Sequence, residues 1–413
     1  MKGSVVSKLP FILLLLAVVV IAAATFVESA YGTTFAHQTM YGAWWFVALW
    51  GLIAIAGCRV MYKKKLWKRP SLFVLHLSFL LILAGALTTH ISSRSGMTHL
   101  REGEATCTFW MKNEQGAYIK PATLPFYLAL HDFRILYDAD NITPADYVSQ
   151  VIISTPDGQQ ETTISMNKIG RVKGFRIYQT SYDDDEQGSV FTISYDPWGT
   201  AITYAGYLLM AFGMIWVSIK KRETSEQREQ SDACIDRSTT KEALVPRSGL
   251  KNAESRERKT DRSNEWMPTL LLTICGTAMA SYMVIAISRS PLVPILRSPF
   301  LFVHVGTIML GYILLVVSIV RREVLRPAVC LLAIGIFLGA VWANVSWGTY
   351  WSWDPKESWA LITLIIYSLP LHQKSLPWFR STRNYRIYSI LGMLSLLMTY
   401  FGVNLLGGMH SYG

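Results

Sequence analysis

Long apolar runs alternate along this chain with short basic segments and two extended polar ones. The apolar runs lie at Phe11–Phe26, Trp44–Met61, Ser71–His90, Ala201–Ile219, Met267–Ile287, Phe300–Val320, Ala328–Ala343, Trp359–His372 and Ile387–Leu406. A membrane-spanning helix needs about 20 mostly apolar residues, so the pattern predicts a polytopic α-helical membrane protein with about nine transmembrane helices. Between the third and fourth runs the period changes. YVSQVIISTPDGQQETTISMN alternates apolar and polar positions on both sides of Pro156-Asp157-Gly158, a turn signal between two strands, and GFRIYQTSYDDDEQGSVFTISYDP repeats the arrangement around an acidic loop. Residues 91–200 therefore form a β-rich extramembrane domain of about 110 residues, long enough for its own core.

Charge sets the orientation. KKKLWKRP, KKRETSEQREQ, RREVLRP and HQKSLPWFRSTRNYR all fall on one side of a nine-span arrangement, which the positive-inside rule makes cytoplasmic, together with the amino terminus carrying Lys2 and Lys8. The first run could pass for a secretory signal peptide; an uncleaved first span is preferred, because the polytopic chain needs it to fix orientation. The β-rich domain, SRSPLVPILRSP, the stretch WGTYWSWDPKESW and the tail GGMHSYG then face outside. Lys220 to Glu265 is charged and nearly free of large apolar residues, which predicts a disordered cytoplasmic linker. The domains expected are thus 1–90 (spans one to three), 91–200, span four at 201–219, the linker 220–265, and 266–413 (spans five to nine). With 51% apolar and 16% charged residues the 413-residue chain is not a soluble globule. The net charge of +11 sits in segments flanking apolar runs, so nucleic acid is excluded as a partner and the lipid membrane is the one implied. Cys58, Cys107, Cys234, Cys275 and Cys330 include no CxxC or CxxCH pair, hence no thiol redox motif, zinc site or covalent haem attachment.

Trp347, Trp351, Trp353 and Trp359 fall within thirteen residues, with Tyr350 and Asp354-Pro355-Lys356-Glu357 among them. Alone they fit an interfacial aromatic belt; the eight histidines change the picture. Ionisable residues inside a membrane are costly and mark function. His76, six residues into span three, and His372, ending span eight, share the cytoplasmic half. His304, just inside the outer end of span six, and His410, beyond span nine, share the level of the tryptophan-rich stretch. Two levels with two histidines each suggest two bis-imidazole sites, and an iron porphyrin fits them: imidazole suits iron, and two axial histidines leave four in-plane positions to the macrocycle. The tryptophans offer a flat apolar surface, and Arg289 and Arg297 are candidate partners for propionates. The competing reading of each histidine is a satisfied interfacial residue. His90 is the rival of His76 on the same helix face, while zinc would need local ligand spacing that the outer pair lacks.

WGTYWSWDPKESWALITLIIYSLPLH, SPFLFVHVGTIMLGY and FGVNLLGGMHSYG together resemble the CcsA family of cytochrome c assembly proteins, over roughly residues 268–413. ATFVESAYGTTFAHQTMYGAWWF, HLSFLLILAGALTTH, HLREGE and GFRIYQTSYD are similar to the CcsB (ResB-like) family, over about residues 1–220. The whole looks like a natural fusion of the two, a system II cytochrome c synthase of the cytoplasmic (inner) membrane with its β-rich domain in the periplasm. The resemblance implies that haem b, both substrate and bound ligand, enters a site within the membrane held by His76 and His372. It then moves to an outer site held by His304 and His410 beneath the loop of Trp347, Trp351, Trp353, Asp354 and Trp359. There the two thiols of a CxxCH segment in an exported apocytochrome c add to the haem vinyl groups, with His304 and His410 as the catalytic ligands and thiol-reducing assembly proteins as further partners. The domain at 91–200 is short beside those of many fused members. Two other classes compete: a bis-haem electron-transfer subunit, and a haem exporter that hands its cargo to a separate lyase.

Overall fold

The computed structural model describes residues 3–112, 118–138, 144–219 and 298–406. The predicted linker at 220–265, the predicted span Met267–Ile287, Arg289, Arg297 and His410 lie outside the described residues. The protein is a polytopic helical membrane protein carrying a β-rich domain. Its long helices are α1 (Gly3–Tyr31), α2 (Trp44–Lys63), α3 (Pro70–Ser92), α4 (199–219), α5 (Pro299–Ser318), α6 (Leu325–Trp347), α7 (Pro355–Ser368) and α8 (Thr382–Tyr400). Among the described residues, α1 to α6 are each long and apolar enough to cross a membrane.

The other two predicted spans differ from that pattern for a physical reason. Helix α7 has 14 residues, about 21 Å at 1.5 Å per residue, and a 3₁₀ turn at Leu369–His372 prolongs it. It is walled by protein: Ile362 and Ile365 pack with Ile21 of α1 and Phe46 of α2, while Ala360 and Leu364 join Leu332 and Ile336 of α6 and Leu396 of α8. Its Thr363 Oγ1 bonds to Ser395 Oγ (3.2 Å) and Thr399 Oγ1 (3.1 Å) of α8. Helices that meet protein partners can carry such polar groups, which lowers their apolar signal. Two boundaries also move. Helix α1 continues past the predicted end of the first run at Phe26 to Tyr31, so Glu28 is a buried helical residue accepting a bond from Thr33 Oγ1 (3.0 Å). Helix α6 runs on to Trp347, which makes that tryptophan the last helical residue rather than part of the loop.

Between α3 and α4 eight antiparallel strands, β1 (Arg94–Arg101), β2 (Ala105–Lys112), β3 (Tyr118–Tyr137), β4 (Pro144–Thr155), β5 (Gly158–Ser165), β6 (Gly170–Val172), β7 (Phe175–Tyr182) and β8 (Gly188–Tyr195), form one sheet in the order β5-β4-β3-β2-β1-β8-β7-β6. Alternate residues point inward, so Phe109, Leu128, Val151, Ile153, Ile177 and Phe191 share one core. The sheet curls back on itself, because Ser149 Oγ of β4 donates to Gln179 Oε1 of β7 (2.7 Å) and meets Ser189 Oγ of β8 (2.9 Å), strands far apart in that order.

The domain is tied to the helices at both ends. Asp196 accepts from the backbone of Gly199 (2.9 Å) and Thr200 (2.8 Å) at the start of α4 and from Thr89 Oγ1 of α3 (2.9 Å), capping one helix and gripping the other. Small residues let α3 and α4 run close, with Gly85 against Thr203 and Gly206 against Ile82. Helix α3 thereby carries His76 at a fixed height below the domain.

Candidate functional site

At the basic end of the bundle the imidazoles of His76 and His372 lie edge to face, with ring centroids 6.2 Å apart, and Phe11 of α1 packs edge-on to His372 at 5.2 Å. His76 Nδ1 bonds to the Leu72 carbonyl (2.7 Å) and His372 Nδ1 to the Ser368 carbonyl (3.1 Å). A carbonyl oxygen only accepts, so each Nδ1 carries the proton and the lone pair of the neutral ring is on Nε2. That is the arrangement by which ligating histidines fix their tautomer. Lys64 Nζ donates to Ser375 Oγ (2.6 Å), and the Ser375 backbone N–H donates to the His372 carbonyl (2.9 Å), so the basic end of α2 borders this pair. His90 lies 14 residues beyond His76 and is exposed, about 21 Å along the axis.

At the β-domain end His304 follows the same rule. It rises from the second turn of α5, and its Nδ1 bonds to the Gly335 carbonyl of α6 (2.7 Å), again placing the lone pair on Nε2. The imidazole lies against Gly339: a Cβ built there would sit 2.5 Å from His304 Cε1. One turn further out on the same seam, Trp342 and Ala343 of α6 are buried with Leu301 of α5, Met166 and Trp347. From Asp354 to His372 the chain climbs α7 and its 3₁₀ turn, about 21 Å plus about 8 Å.

The tryptophan-rich loop is a held structure. Gly348 ends α6 in the left-handed region (φ 85°), where a side chain would be strained and would also meet Tyr178 Cε2 at 2.8 Å. Trp353 is itself left-handed (φ 61°). Its indole stacks on Tyr41 (5.4 Å, 8° between planes), with Phe46 edge-on at 5.0 Å. Trp351 turns edge-on to Trp353 at 5.7 Å and packs against the α5–α8 core, and Trp359 Nε1 donates to Thr25 Oγ1 of α1 (3.1 Å). Asp354 is buried and caps α7, its Oδ1 accepting from the Lys356 backbone N–H (2.8 Å), while Glu357 Oε2 accepts from the Ser352 N–H (2.8 Å). Burial holds the Lys356 ammonium below its ordinary pKa, opposed by the Asp354 carboxylate.

Five contributors, His37, Tyr41, Tyr178, Arg176 and Ser194, escaped the sequence reading. His37 Nε2 donates to the Ser352 carbonyl (3.2 Å) from a π-helical turn, His37–Tyr41, that also supplies Tyr41; burial holds its imidazole below the ordinary value against the pull of that carbonyl. From β7, Tyr178 donates to the Asn344 carbonyl (2.9 Å) and Arg176 Nη1 to Asn344 Oδ1 (2.7 Å), while Ser194 of β8 donates to the Gly348 carbonyl (3.1 Å). Burial pushes the Tyr178 hydroxyl up to about 12, with Arg176 and Arg171 opposing. The one signal available was Lys173-Gly174, a two-residue hairpin turn that sets Arg171 opposite Arg176.

Comparison with known proteins divides the chain in the same two halves. The family model described as ResB-like matches residues 56–205, and that described as cytochrome C assembly protein matches residues 319–410. Proteins named cytochrome c biogenesis protein CcsA are similar over a shorter stretch: that of Hordeum vulgare is 55% identical over 84 residues, and those of Oryza sativa and Oenothera biennis are 54% identical over 84 and 83 residues. Each stretch covers 20% of this chain and 26% of the relative, so the chain spans about a quarter of the length of these curated relatives.

Proposed function

From a chain that joins a ResB-like region to a cytochrome c assembly region, as a fusion of the CcsB and CcsA kinds of cytochrome c biogenesis protein, we propose that it carries haem across the cytoplasmic membrane and attaches it to CxxCH motifs of exported apocytochrome c. The observation that carries this reading is the common state of three histidines on three different helices. His76, His372 and His304 each spend Nδ1 on a main-chain carbonyl and turn the ligating lone pair to Nε2.

In this reading the basic end is cytoplasmic and the β-domain end periplasmic. His76 and His372 hold haem b on entry; His304, with His410, holds it at the outer level. Trp347, Trp351, Trp353 and Trp359 supply the apolar wall, and Asp354 keeps α7 and the loop in register. Attachment needs no oxidant: each cysteine S–H adds across one vinyl double bond, sulfur bonding to one carbon and hydrogen to the other. The chain's contribution is position, holding two vinyl groups against two thiols in a nearly dry site, where orientation alone lowers a barrier by several kcal/mol, up to about 7–11 in the best intramolecular cases. Bis-imidazole ligation protects the iron until the CxxCH histidine replaces one ligand.

Co-expression of this chain alone with an exported CxxCH apocytochrome, in a host stripped of its own maturation proteins, tests the reading. Covalent haem on the apocytochrome is expected. Haem delivered outside without a covalent product would favour an exporter that serves a separate lyase.

A further inference from the structure

Arg171 of β6 and Arg176 of β7 are direct partners across an antiparallel hairpin. Like charges directly opposite each other destabilise such a pair, so the arrangement calls for an anion. No carboxylate supplies one: among the described residues every ion pair of the β-domain involves other cations, His99 and Arg101 with Asp183 and Asp185, Arg134 with Asp132, and Lys173 at the hairpin tip with Asp157. Strand alternation sets both on the face of the sheet that carries Tyr178, which donates to the Asn344 carbonyl of α6, with Arg171 exposed at its edge. Arg176 reaches Asn344, a buried residue whose Nδ2 donates to the Tyr204 hydroxyl (2.7 Å).

The location narrows the anion. Asn344 lies five residues beyond Gly339, the glycine that cradles His304, which is about 7.5 Å along α6. Between them the seam is apolar and aromatic, built from Leu301, Trp342, Ala343 and Trp347. The indole N–H of Trp342 is buried there with no acceptor among the described residues. A ligand that fits this sequence of surfaces has a metal at the histidine, a flat apolar body along the tryptophans and two carboxylates at its far edge.

We propose that Arg171 and Arg176 bind the two propionates of haem at the outer site, so that the β-domain supplies the polar half of a site whose axial ligand comes from α5. This deepens the functional reading given above and rests on it. A planar guanidinium matches a carboxylate as a two-pronged donor, and two arginines side by side match two propionates on one porphyrin edge.

The test uses the purified full chain carrying His76→Ala, which empties the inner site, titrated with haem and with haem dimethyl ester, whose propionates are uncharged. The expected result is at least tenfold weaker haem binding in the Arg171→Ala/Arg176→Ala variant with ester binding unchanged, and a retained preference for haem over ester in the double Lys variant. Unchanged haem binding would overturn the proposal and leave the arginines to an anionic lipid or an acidic segment of the apocytochrome. Equal loss of haem and ester in the double variant and in each single Gln variant would also overturn it, as a folding defect. Failure of the functional reading has its own mark, namely no haem uptake that depends on His304 in the parent chain, and the proposal would fall with it.

Discussion

Replacing Tyr41 by Ala should release the tryptophan-rich loop. Tyr41 is 4% exposed, stacks on Trp353 and lies edge-on to Phe46 at 6.1 Å. Truncating a buried aromatic side chain costs about 3–5 kcal/mol, of which the stacking geometry itself accounts for ~0.5–1.5 kcal/mol. Against that stands the left-handed backbone of Trp353 (φ 61°), a conformation costing a bulky residue roughly 1–3 kcal/mol. With Tyr41 present the packing exceeds the strain; without it only the edge-on contacts of Phe46 and Trp351 oppose the strain, and Trp353 relaxes to negative φ. The ring rather than the hydroxyl makes these aromatic contacts, so Tyr41→Phe keeps what matters. Absorption spectra of the two variants in a His76→Ala background would report the outer haem alone. Tyr41→Ala is expected to lower its occupancy by about tenfold, the equivalent of ~1.4 kcal/mol, and Tyr41→Phe by less than twofold. Full occupancy in Tyr41→Ala, or equal loss in both, would refute the reasoning.

Gly339→Ala should displace the His304 ring, because the new Cβ would fall 2.5 Å from Cε1; outer haem is lost while the inner haem, monitored with His304 varied separately, is retained. Asp354→Ala removes the α7 cap and should lower stability by about 1 kcal/mol, while Asp354→Asn, an equally good cap, should cost less; thermal unfolding in detergent distinguishes them. His37 is held below its ordinary pKa of 6.5 by burial, so the unfolded chain takes up a proton first. Stability from this residue is therefore whole above about pH 6.5 and falls as pH drops below it. The melting temperature of the parent chain should fall further between pH 7 and pH 5 than that of His37→Gln, and parallel curves would contradict this.

Helices α1 to α6 were legible because lipid-facing spans must be apolar around most of their surface, and the strands at 144–165 and 175–195 because one buried face imposes alternation. Helix α7 was misjudged in extent because its start is written in capping chemistry, Asp354-Pro355, and its walls are protein. Depth along the spans sets His76 and His372 at one end of the bundle, where their rings meet. What depth could not convey is lateral: that His76 rather than His90 faces His372, or that His37 and Tyr41 of the amino-terminal half grip a loop more than 300 residues later. Such contacts depend on how helices are arranged side by side, which hydropathy does not encode. The arginine hairpin was hidden for a similar reason, since Arg171 and Arg176 become a pair only once β6 and β7 are in register.

The central claim, two haem sites each built on paired histidines, is tested most directly by absorption spectroscopy of the purified chain beside its His76→Ala, His372→Ala, His304→Ala and His410→Ala variants. The account predicts a six-coordinate bis-imidazole spectrum that resolves into two populations, one lost with either His76 or His372 and the other with either His304 or His410. Added imidazole should partly restore the second. A spectrum unchanged across all four variants would contradict it.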